Sequence, residues 1–345
     1  MERCLQLAAN GLGSTYPNPL VGAVVVHKQT IIGEGWHRKA GEPHAEVHAI
    51  GSVANKSLLK EATIYVNLEP CSHHGRTPPC ANLIVESGIP NVVVGSLDPN
   101  PQVSGRGIAI LKEAGIEVKT GVLLDKCNWL NRRFFTNQTK SRPYVVLKWA
   151  QSQDGYISPA NRIERAPVWI TSQRARQWSH RLRTQEQAIL VGSNTAKEDN
   201  PSLTARDWSG INPLRVVLDR NLSLDTDLEL LSGEVPTMII SQREGQARAN
   251  IDLARADFDK DLPRQILQIL FDQNIQSVVI EGGAQTLQAY IDACLWDEAY
   301  VLQGPQTFEH GLAAPKLQGI ELSTESLGPD QITHYKPTTD AGITI

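Results

Sequence analysis

Apolar and polar positions along residues 1–140 alternate between the spacing of helices and the spacing of strands. Residues 2–10 carry apolar side chains at helical spacing, and Val21–Val26 with Thr30–Gly33 are typical of a β-hairpin. The alternation continues in a helix from His44, a strand Thr63–Leu68, a helix Cys80–Ser87, a strand Asn91–Ser96, a helix Gly107–Ala114 and a strand Glu117–Gly121. A layered α/β domain is therefore predicted.

A polar segment at 136–143 ends in Pro143 and separates this set from a second one. The second set begins with a strand at Tyr144–Trp149. Its later predicted strands are Ala188–Gly192, Leu214–Leu218, Pro236–Ser241 and Ser277–Glu281. Since 345 residues are typical of about two domains, we predict two α/β domains, residues 1–140 and 141–345.

Composition is that of a globular enzyme, with 41% hydrophobic and 20% charged residues. No apolar run approaches the roughly 20 residues that span a bilayer, and no apolar leader with a cleavage site follows Met1. We therefore expect a cytoplasmic protein without membrane association. Five cysteines are too few and too scattered for a disulfide framework, and Cys4, Cys127 and Cys294 are expected to be small buried side chains.

Charge is uneven along the chain, whose net charge is -4. Residues 1–140 hold 14 Lys/Arg against 11 Asp/Glu, and residues 141–345 hold 19 against 26. A slightly positive first domain suits a substrate with one or two phosphates. Nucleic-acid binding is not predicted, because basic clusters are lacking.

Residues with zinc-ligand chemistry follow in the order His44, Cys71 and Cys80, and Glu46 lies two positions after the histidine. One imidazole and two thiolates suit zinc and leave its fourth position open for water, which is the catalytic arrangement. Zinc lowers the pKa of bound water to about 7, and a nearby carboxylate can transfer its protons. This set is typical of zinc-dependent base deaminases.

A structural zinc site is the alternative, with His48, His73 or His74 as the fourth ligand. In that case Glu46 would be an ordinary solvated carboxylate. The catalytic interpretation is favoured because a carboxylate so close to the histidine has no purpose in a closed site.

Eight residues, 72–79, separate the two cysteines, whereas deaminases that act on nucleic acid commonly have two. A nucleic-acid base deaminase with an accessory domain is thus the weaker alternative. Five segments make the chain resemble the bifunctional riboflavin-biosynthesis deaminase–reductase family, and the resemblance covers nearly the whole chain. They are NPLVGAVVV at 18–26, GEGWH at 33–37, HAEVHA at 44–49, LEPCSHHGRTPPC at 68–80 and DPNPQVSGRG at 98–107.

The resemblance implies a cytidine-deaminase-like three-layer domain followed by a dihydrofolate-reductase-like α/β domain. It implies zinc-dependent deamination of 2,5-diamino-6-(5-phosphoribosylamino)pyrimidin-4-one, and then reduction of the ribosyl group to the ribityl chain with NADPH. The expected partner is therefore this small pyrimidine nucleotide, not a nucleic acid. Homo-oligomerisation is compatible with the sequence but is not determined by it.

Substrate contacts in the first domain are expected from polar side chains near the zinc ligands. Asn18 can recognise a ring or ribose edge, and His73, His74 and Arg76 can donate to ribose or phosphate. For each of them a capped turn or simple surface polarity is the alternative.

The second domain lacks a GxGxxG motif after its first strand, so a Rossmann site is not predicted. Instead, a strand at 278–281 leads into Gly282-Gly283 and a helix, which places backbone N–H groups beside an anion. Such a pair can also be only a tight turn, but in the family this segment contacts the NADPH phosphates. The cofactor positions carried over by the resemblance are Ala150, Trp169, Thr195, Asp199, Gly283, Ala284, Gln285, Thr286 and Leu287.

Substrate positions carried over in the second domain are Arg183, Leu203, Arg206 and Glu281. A guanidinium group suits a 5′-phosphate. Lys148 is expected to stabilise charge on the sugar oxygen, with a surface or ion-paired lysine as the alternative. Core packing is the alternative for Trp169. The family often has a substrate-binding serine where this chain has Pro167, and the insertion-like segment 161–165 lies just before it.

Overall fold

A computed structural model describes residues 1–72, 78–100, 104–162 and 165–338. Contacts between Cα atoms divide the chain after Ser141, so that Met1–Ser141 forms one compact unit and the described residues from Arg142 onward form another. No helix of the described residues is long and apolar enough to cross a membrane.

The first unit contains the predicted helices and strands in the predicted order, followed by two helices that were not predicted. The second of these includes residues 136–140 of the polar segment that was expected to separate the domains. The elements lie at Glu2–Ala9 (α1), Gly22–His27 (β1), Thr30–Trp36 (β2), Ala45–Ser52 (α2), Thr63–Leu68 (β3), Cys80–Glu86 (α3), Asn91–Ser96 (β4), Arg106–Glu113 (α4), Glu117–Lys119 (β5), Leu124–Leu130 (α5) and Arg132–Lys140 (α6). A short 3-10 helix at Lys56–Glu61 precedes β3. The strands form one sheet in the order β2-β1-β3-β4-β5.

The sheet of the first unit is covered on both faces. The hairpin strand β1 is antiparallel to β2 and β3, whereas β3, β4 and β5 are parallel. Along β1, Val24 packs with Leu7 of α1, while Ala23 and Val25 pack with Ala49 of α2. Because successive side chains of a strand point to opposite faces, the sheet lies between two helical layers, and the predicted three-layer α/β class is confirmed.

The second unit is built around a larger sheet. Its elements lie at Tyr144–Gln151 (β6), Tyr156–Pro159 (β7), Gln173–Gln185 (α7), Ala188–Val191 (β8), Ser193–Asp199 (α8), Leu214–Leu218 (β9), Thr237–Ser241 (β10), Ile251–Arg255 (β11), Leu262–Asp272 (α9), Ser277–Gly282 (β12), Ala284–Asp292 (α10), Glu298–Gln303 (β13), Gly311–Ala313 (β14), Gly319–Leu327 (β15) and Asp330–Pro337 (β16). Nine strands pair in the order β11-β10-β9-β8-β12-β6-β13-β16-β15, and β7 pairs with β14.

Strands β11 to β13 of this order are parallel, and β16 and β15 continue the sheet antiparallel. Along β6, Leu147 packs with Leu287 of α10, while Val146 packs with Leu182 of α7. Helices thus cover both faces, which is why the parallel strands are apolar on both sides.

The cysteine prediction holds for two residues and fails for a third. Cys4 and Cys127 are fully buried. Cys294 is exposed and has a φ of 53°, because it lies two residues beyond the end of α10, where the chain turns through a left-handed conformation. The expectation of a small buried side chain is therefore wrong for Cys294.

Candidate active sites

His44, Cys71 and Cys80 bring one ligand atom each to the same place in the first unit. His44 is the N-cap residue of α2, and Cys80 is the first residue of α3. The Nδ1 atom of His44 lies 3.5 Å from Cys71 Sγ and 3.3 Å from Cys80 Sγ, and all three atoms lie within 4.8 Å of one another. Around one tetrahedral zinc ion, nitrogen and sulfur ligands are about 3.6 Å apart. The donor set and its spacing therefore fit zinc.

The two thiols are electrostatically distinct. The pKa of Cys71 is lowered to about 4, first because the Cys80 thiol donates to it and further because His44 faces it. The backbone N–H of Cys80 also donates to Cys71 Sγ, at 3.3 Å. The pKa of Cys80 is raised, because its thiol donates to Cys71 and is buried. A dication that binds here displaces the remaining protons, since zinc is held by thiolates.

Glu46 lies in the first turn of α2 and is buried, with 3% of its surface exposed. Burial is the main reason why its pKa is raised to about 6. The solvated-carboxylate alternative is thus wrong. A carboxyl group of this kind beside three ligand atoms is suited to accepting and returning a proton near neutral pH.

Asn18 is oriented by His37, which the sequence reasoning did not single out. His37 Nδ1 lies 3.2 Å from the carbonyl oxygen of Pro43, so this nitrogen carries the proton and donates. Its Nε2 then accepts from Asn18 Nδ2 at 3.0 Å. The His37 ring also packs edge-on against that of His44, with 5.3 Å between centroids. The GEGWH segment was the available signal for His37.

Glu69, two residues before Cys71, organises a neighbouring loop. Its buried carboxylate accepts backbone N–H groups from Gly105 and Gly107 at 3.0 Å each, and from Asp98 at 3.3 Å. Asp98, Gly105 and Gly107 are therefore tied to the end of β3 that leads to the metal ligands.

Three predicted substrate residues, His73, His74 and Arg76, lie outside the described residues. Among the described residues, His48 does not join the group of ligand atoms formed by His44, Cys71 and Cys80. The alternative in which His48 closes a structural site is therefore wrong.

A cavity of about 790 Å³ lies within the second unit. Its wall includes the carboxyl ends of β6, β8 and β12 and the start of α10. All fourteen positions that the sequence assigned in this domain line it, namely Lys148, Ala150, Trp169, Arg183, Thr195, Asp199, Leu203, Arg206, Glu281, Gly283, Ala284, Gln285, Thr286 and Leu287. The volume falls in the usual range for ligand cavities, about 300–1,000 Å³.

The paired glycines form a close-packed turn between β12 and α10. Gly283 has a φ of 74°, a backbone conformation that residues with a side chain rarely adopt. A Cβ on Gly282 would lie 2.8 Å from Thr195 Cγ2, and one on Gly192 would lie 2.6 Å from Thr286 Oγ1. The glycines therefore let the chain turn closely beside the side chains of Thr195 and Thr286, and the start of α10 borders the cavity. Backbone N–H groups at a helix start suit the phosphates of NADPH.

Arg183 is engaged within the protein. Its Nε and Nη2 donate to the two Glu281 oxygens at 2.9 and 2.8 Å, and its Nη1 donates to the Thr204 carbonyl at 2.9 Å. Lys148 Nζ lies 3.5 Å from Glu281 Oε2. Lys148, with 11% of its side chain exposed, is thus ion-paired, as one half of the alternative expected, and the other half, a surface lysine, is wrong. Arg206, by contrast, is exposed and donates to Ser202 Oγ at 2.9 Å.

Trp169 lies at the cavity wall and is 52% exposed, so the core-packing alternative is wrong. The Arg176 guanidinium is 4.9 Å from its ring centroid. Arg162 donates to the Ala166 carbonyl and to Asp199 Oδ1, each at 2.6 Å. An arginine from the insertion-like segment thus ties the chain just before Pro167 to the predicted cofactor residue Asp199.

Two family models match the chain. The RibD C-terminal domain matches residues 143–328, and the cytidine and deoxycytidylate deaminase zinc-binding region matches residues 1–96. The riboflavin biosynthesis protein RibD of Aquifex aeolicus is 40% identical over 97% of each chain. That of Synechocystis is 39% identical over 99% of this chain and 91% of the relative.

Two solved structures superpose on 98% of this chain. A Thermotoga maritima diaminohydroxyphosphoribosylaminopyrimidine deaminase/5-amino-6-(5-phosphoribosylamino)uracil reductase superposes with a TM-score of 0.89 at 37% identity, covering 98% of this chain and 97% of that one. Acinetobacter baumannii RibD superposes with a TM-score of 0.87 at 35% identity, covering 98% of both. This chain therefore belongs to the riboflavin biosynthesis protein RibD family.

Proposed function

We propose that the chain catalyses two successive reactions of riboflavin biosynthesis on one small pyrimidine nucleotide. Residues 1–140 would deaminate 2,5-diamino-6-(5-phosphoribosylamino)pyrimidin-4-one, and residues 141–345 would reduce the ribosyl group of the product to a ribityl chain. The observation that carries the proposal is the group of three ligand atoms within 4.8 Å beside the buried Glu46. The cavity of the second unit supports the reductive step.

In the deamination, His44, Cys71 and Cys80 would hold zinc, which when bound polarises water so that it can attack at neutral pH. Water adds to the ring carbon and the amino group leaves as ammonia. Glu46 takes the proton released by the water and passes protons to the ring nitrogen and the departing amine. Asn18, oriented by His37 (Nδ2···Nε2 3.0 Å), presents its amide oxygen to a polar edge of the nucleotide.

In the reduction, Gly283–Leu287 and Thr195 would hold the phosphates of NADPH, with Ala150, Trp169 and Asp199 along the rest of the cofactor. NADPH supplies the hydride when bound. The sugar carbon gains the hydride and its ring oxygen gains a proton, which opens the ring. Lys148 would provide the positive charge beside that oxygen, while Glu281 and Arg183 keep the lysine in place (Nζ···Oε2 3.5 Å). Arg206 is the guanidinium available to the phosphate of the nucleotide.

A two-step assay tests the proposal. Zinc-loaded protein is given the diaminopyrimidine nucleotide with or without NADPH, while ammonia release, NADPH oxidation and the nucleotide products are followed. We expect the deaminated intermediate to accumulate without NADPH and to be consumed when NADPH is added. Deamination of an RNA stem-loop but not of the nucleotide would contradict the proposal.

A further inference from the structure

Helix α7 presents His180 to the reductase cavity, together with Arg176 and Arg183. These positions are four and three residues apart, so they share one face of the helix. His180 has only 2% of its surface exposed, yet it belongs to the cavity wall. None of the roles assigned so far uses this buried imidazole.

The hydrogen bonding of the ring identifies its tautomer. The backbone N–H of Asp207 donates to His180 Nδ1, with 2.9 Å between the nitrogens. A proton on Nδ1 would face that N–H, so Nδ1 is the acceptor and the ring proton lies on Nε2. Among the described residues, no hydrogen-bond partner of His180 Nε2 is found. The Nε2–H group is therefore a donor available on the side of the ring away from Asp207.

The surroundings keep the ring uncharged. Burial, followed by the charge of Arg183, lowers the pKa of His180 to about 4. The Asp207 carboxylate is 3.5 Å from Nδ1, but it already accepts a hydrogen bond from Arg176 Nε. A second acidic neighbour, Glu281, accepts hydrogen bonds from Nε and Nη2 of Arg183. Neither carboxylate is left to hold an imidazolium ion.

We propose that His180 is a neutral hydrogen-bond donor to an acceptor oxygen of the reductase substrate, and that through Nδ1 it also positions the segment that carries Arg206. This inference rests on the proposed reductase function. Arg183 is committed to Glu281 and Thr204. Among the described residues, the donors on this side of the wall include His180 Nε2–H, the exposed Arg206 guanidinium and Arg176, whose Nε is already bound to Asp207. A neutral donor pairs with a carbonyl, hydroxyl or phosphate oxygen of the nucleotide without adding charge to the cavity.

Two substitutions separate this role from a structural one. His180→Leu removes both the donor and the acceptor, whereas His180→Gln keeps an amide N–H and a carbonyl oxygen at the end of the side chain. We expect His180→Leu to raise the KM for the deaminated nucleotide at least tenfold and to leave the KM for NADPH within about twofold. His180→Gln should recover most of the loss. His310→Leu, at an exposed histidine of the same unit, is the matched control.

The same variants, assayed on the dephosphorylated nucleoside, identify the oxygen. If His180→Leu raises the KM for the nucleotide but not for the nucleoside, the acceptor oxygen belongs to the phosphate. If it raises the KM for both, the oxygen belongs to the ring or the sugar. An unchanged KM for both compounds in folded His180→Leu would overturn the proposal. So would a fall in kcat, a rise in both KM values and no recovery by His180→Gln, because that pattern indicates a structural residue.

A measurement on the unaltered protein needs a variant only to assign one signal and does not depend on the activity of any variant. Nitrogen-15 NMR of the imidazoles at pH 7, assigned by the signal lost in His180→Gln, should show a proton on Nε2 of His180 and none on Nδ1. An Nδ1–H tautomer or an imidazolium would reject the proposal. Because this readout needs no turnover, its failure is distinguishable from the absence of NADPH-dependent reduction, which would reject the proposed function itself.

Discussion

Glu46 and Glu281 show how neighbouring residues set the pKa of a buried carboxyl group and thereby its role. For Glu46 burial dominates and raises the pKa to about 6. For Glu281 burial alone would also raise the pKa, but Arg183 and Lys148 together lower it to about 2. A carboxyl group of the first kind can exchange protons, whereas the second is a permanent anion that holds two cations in place.

Replacement of Glu46 by glutamine tests its role in proton transfer. The ligand atoms are untouched, so we expect zinc content to be retained and the deamination rate to fall by about 10²- to 10⁴-fold. Reduction of supplied deaminated nucleotide should continue at the normal rate. Metal analysis and the two separate assays measure this, with Glu117→Gln, at an exposed position of the same unit, as control. Loss of both activities in folded protein would contradict the two-site proposal.

The low pKa of Glu281 predicts a pH dependence of stability. A carboxyl whose pKa is lower in the folded protein stabilises it above its ordinary pKa, and this contribution is lost as the pH falls through the folded value. Between about pH 5 and pH 2, protonation of Glu281 should thus remove on the order of 3 kcal/mol from the free energy of unfolding.

Urea titrations across this pH range measure the effect. In Glu281→Gln that part of the pH dependence should be absent, and the protein should be less stable at pH 7 because Arg183 and Lys148 remain buried without their anion. Glu244→Gln, at an exposed ion pair with Arg255, should leave the profile unchanged. An identical acid slope in both variants would refute the assignment.

At the scale of secondary structure, both sites lie where parallel strands end. Cys71 follows β3, and the glycine turn follows β12. In each case the next helix in the site begins at a functional residue, Cys80 for α3 and Ala284 for α10. This agrees with the general rule that ligands bind at the carboxyl ends of strands in α/β sheets.

Gly283→Ala tests the turn before α10. Its φ of 74° makes a side chain costly, by about 1–3 kcal/mol, and the shifted backbone would misplace the N–H groups. We expect the KM for NADPH to rise about tenfold. Gly233→Ala, with a φ of 78° and away from the cavity wall, should cost similar stability without changing that KM. Equal KM values in the two variants would argue against a phosphate site at this turn.

At the scale of the whole molecule, each unit has its own hydrophobic core and its own site. Ligands of the two sites should therefore stabilise different elements, because a ligand stabilises the state that binds it. Family membership extends over both units, with relatives matched over 97% of the chain.

Hydrogen exchange followed by mass spectrometry tests this division. Removal of zinc with a chelator should lower protection in α2 and α3, because His44 is the N-cap residue of α2 and Cys80 is the first residue of α3. Addition of NADPH should raise protection at the start of α10 and in α8, and re-addition of zinc should reverse only the first change. Protection that changes in α10 on zinc removal, or not at all in α2 and α3, would contradict the assignment of the ligands.

The sequence by itself determined most elements of the first unit, the central parallel strands of the second, the α/β class, the metal donor set and the glycine turn, but not the helices at 124–140 or the strands after Gly282. The features that it determined depend on residue type and on short spacings, such as His44 with Glu46, which local backbone geometry converts directly into structure. The tertiary structure alone decided which partners the side chains have. Arg183 was predicted as a substrate contact from the resemblance, and only the structure shows that Glu281, 98 residues away, accepts hydrogen bonds from its guanidinium. His180 and Asn18 likewise owe their orientation to Asp207 and His37. Such pairs form only when distant strand ends and helix faces meet, and no local pattern encodes that meeting.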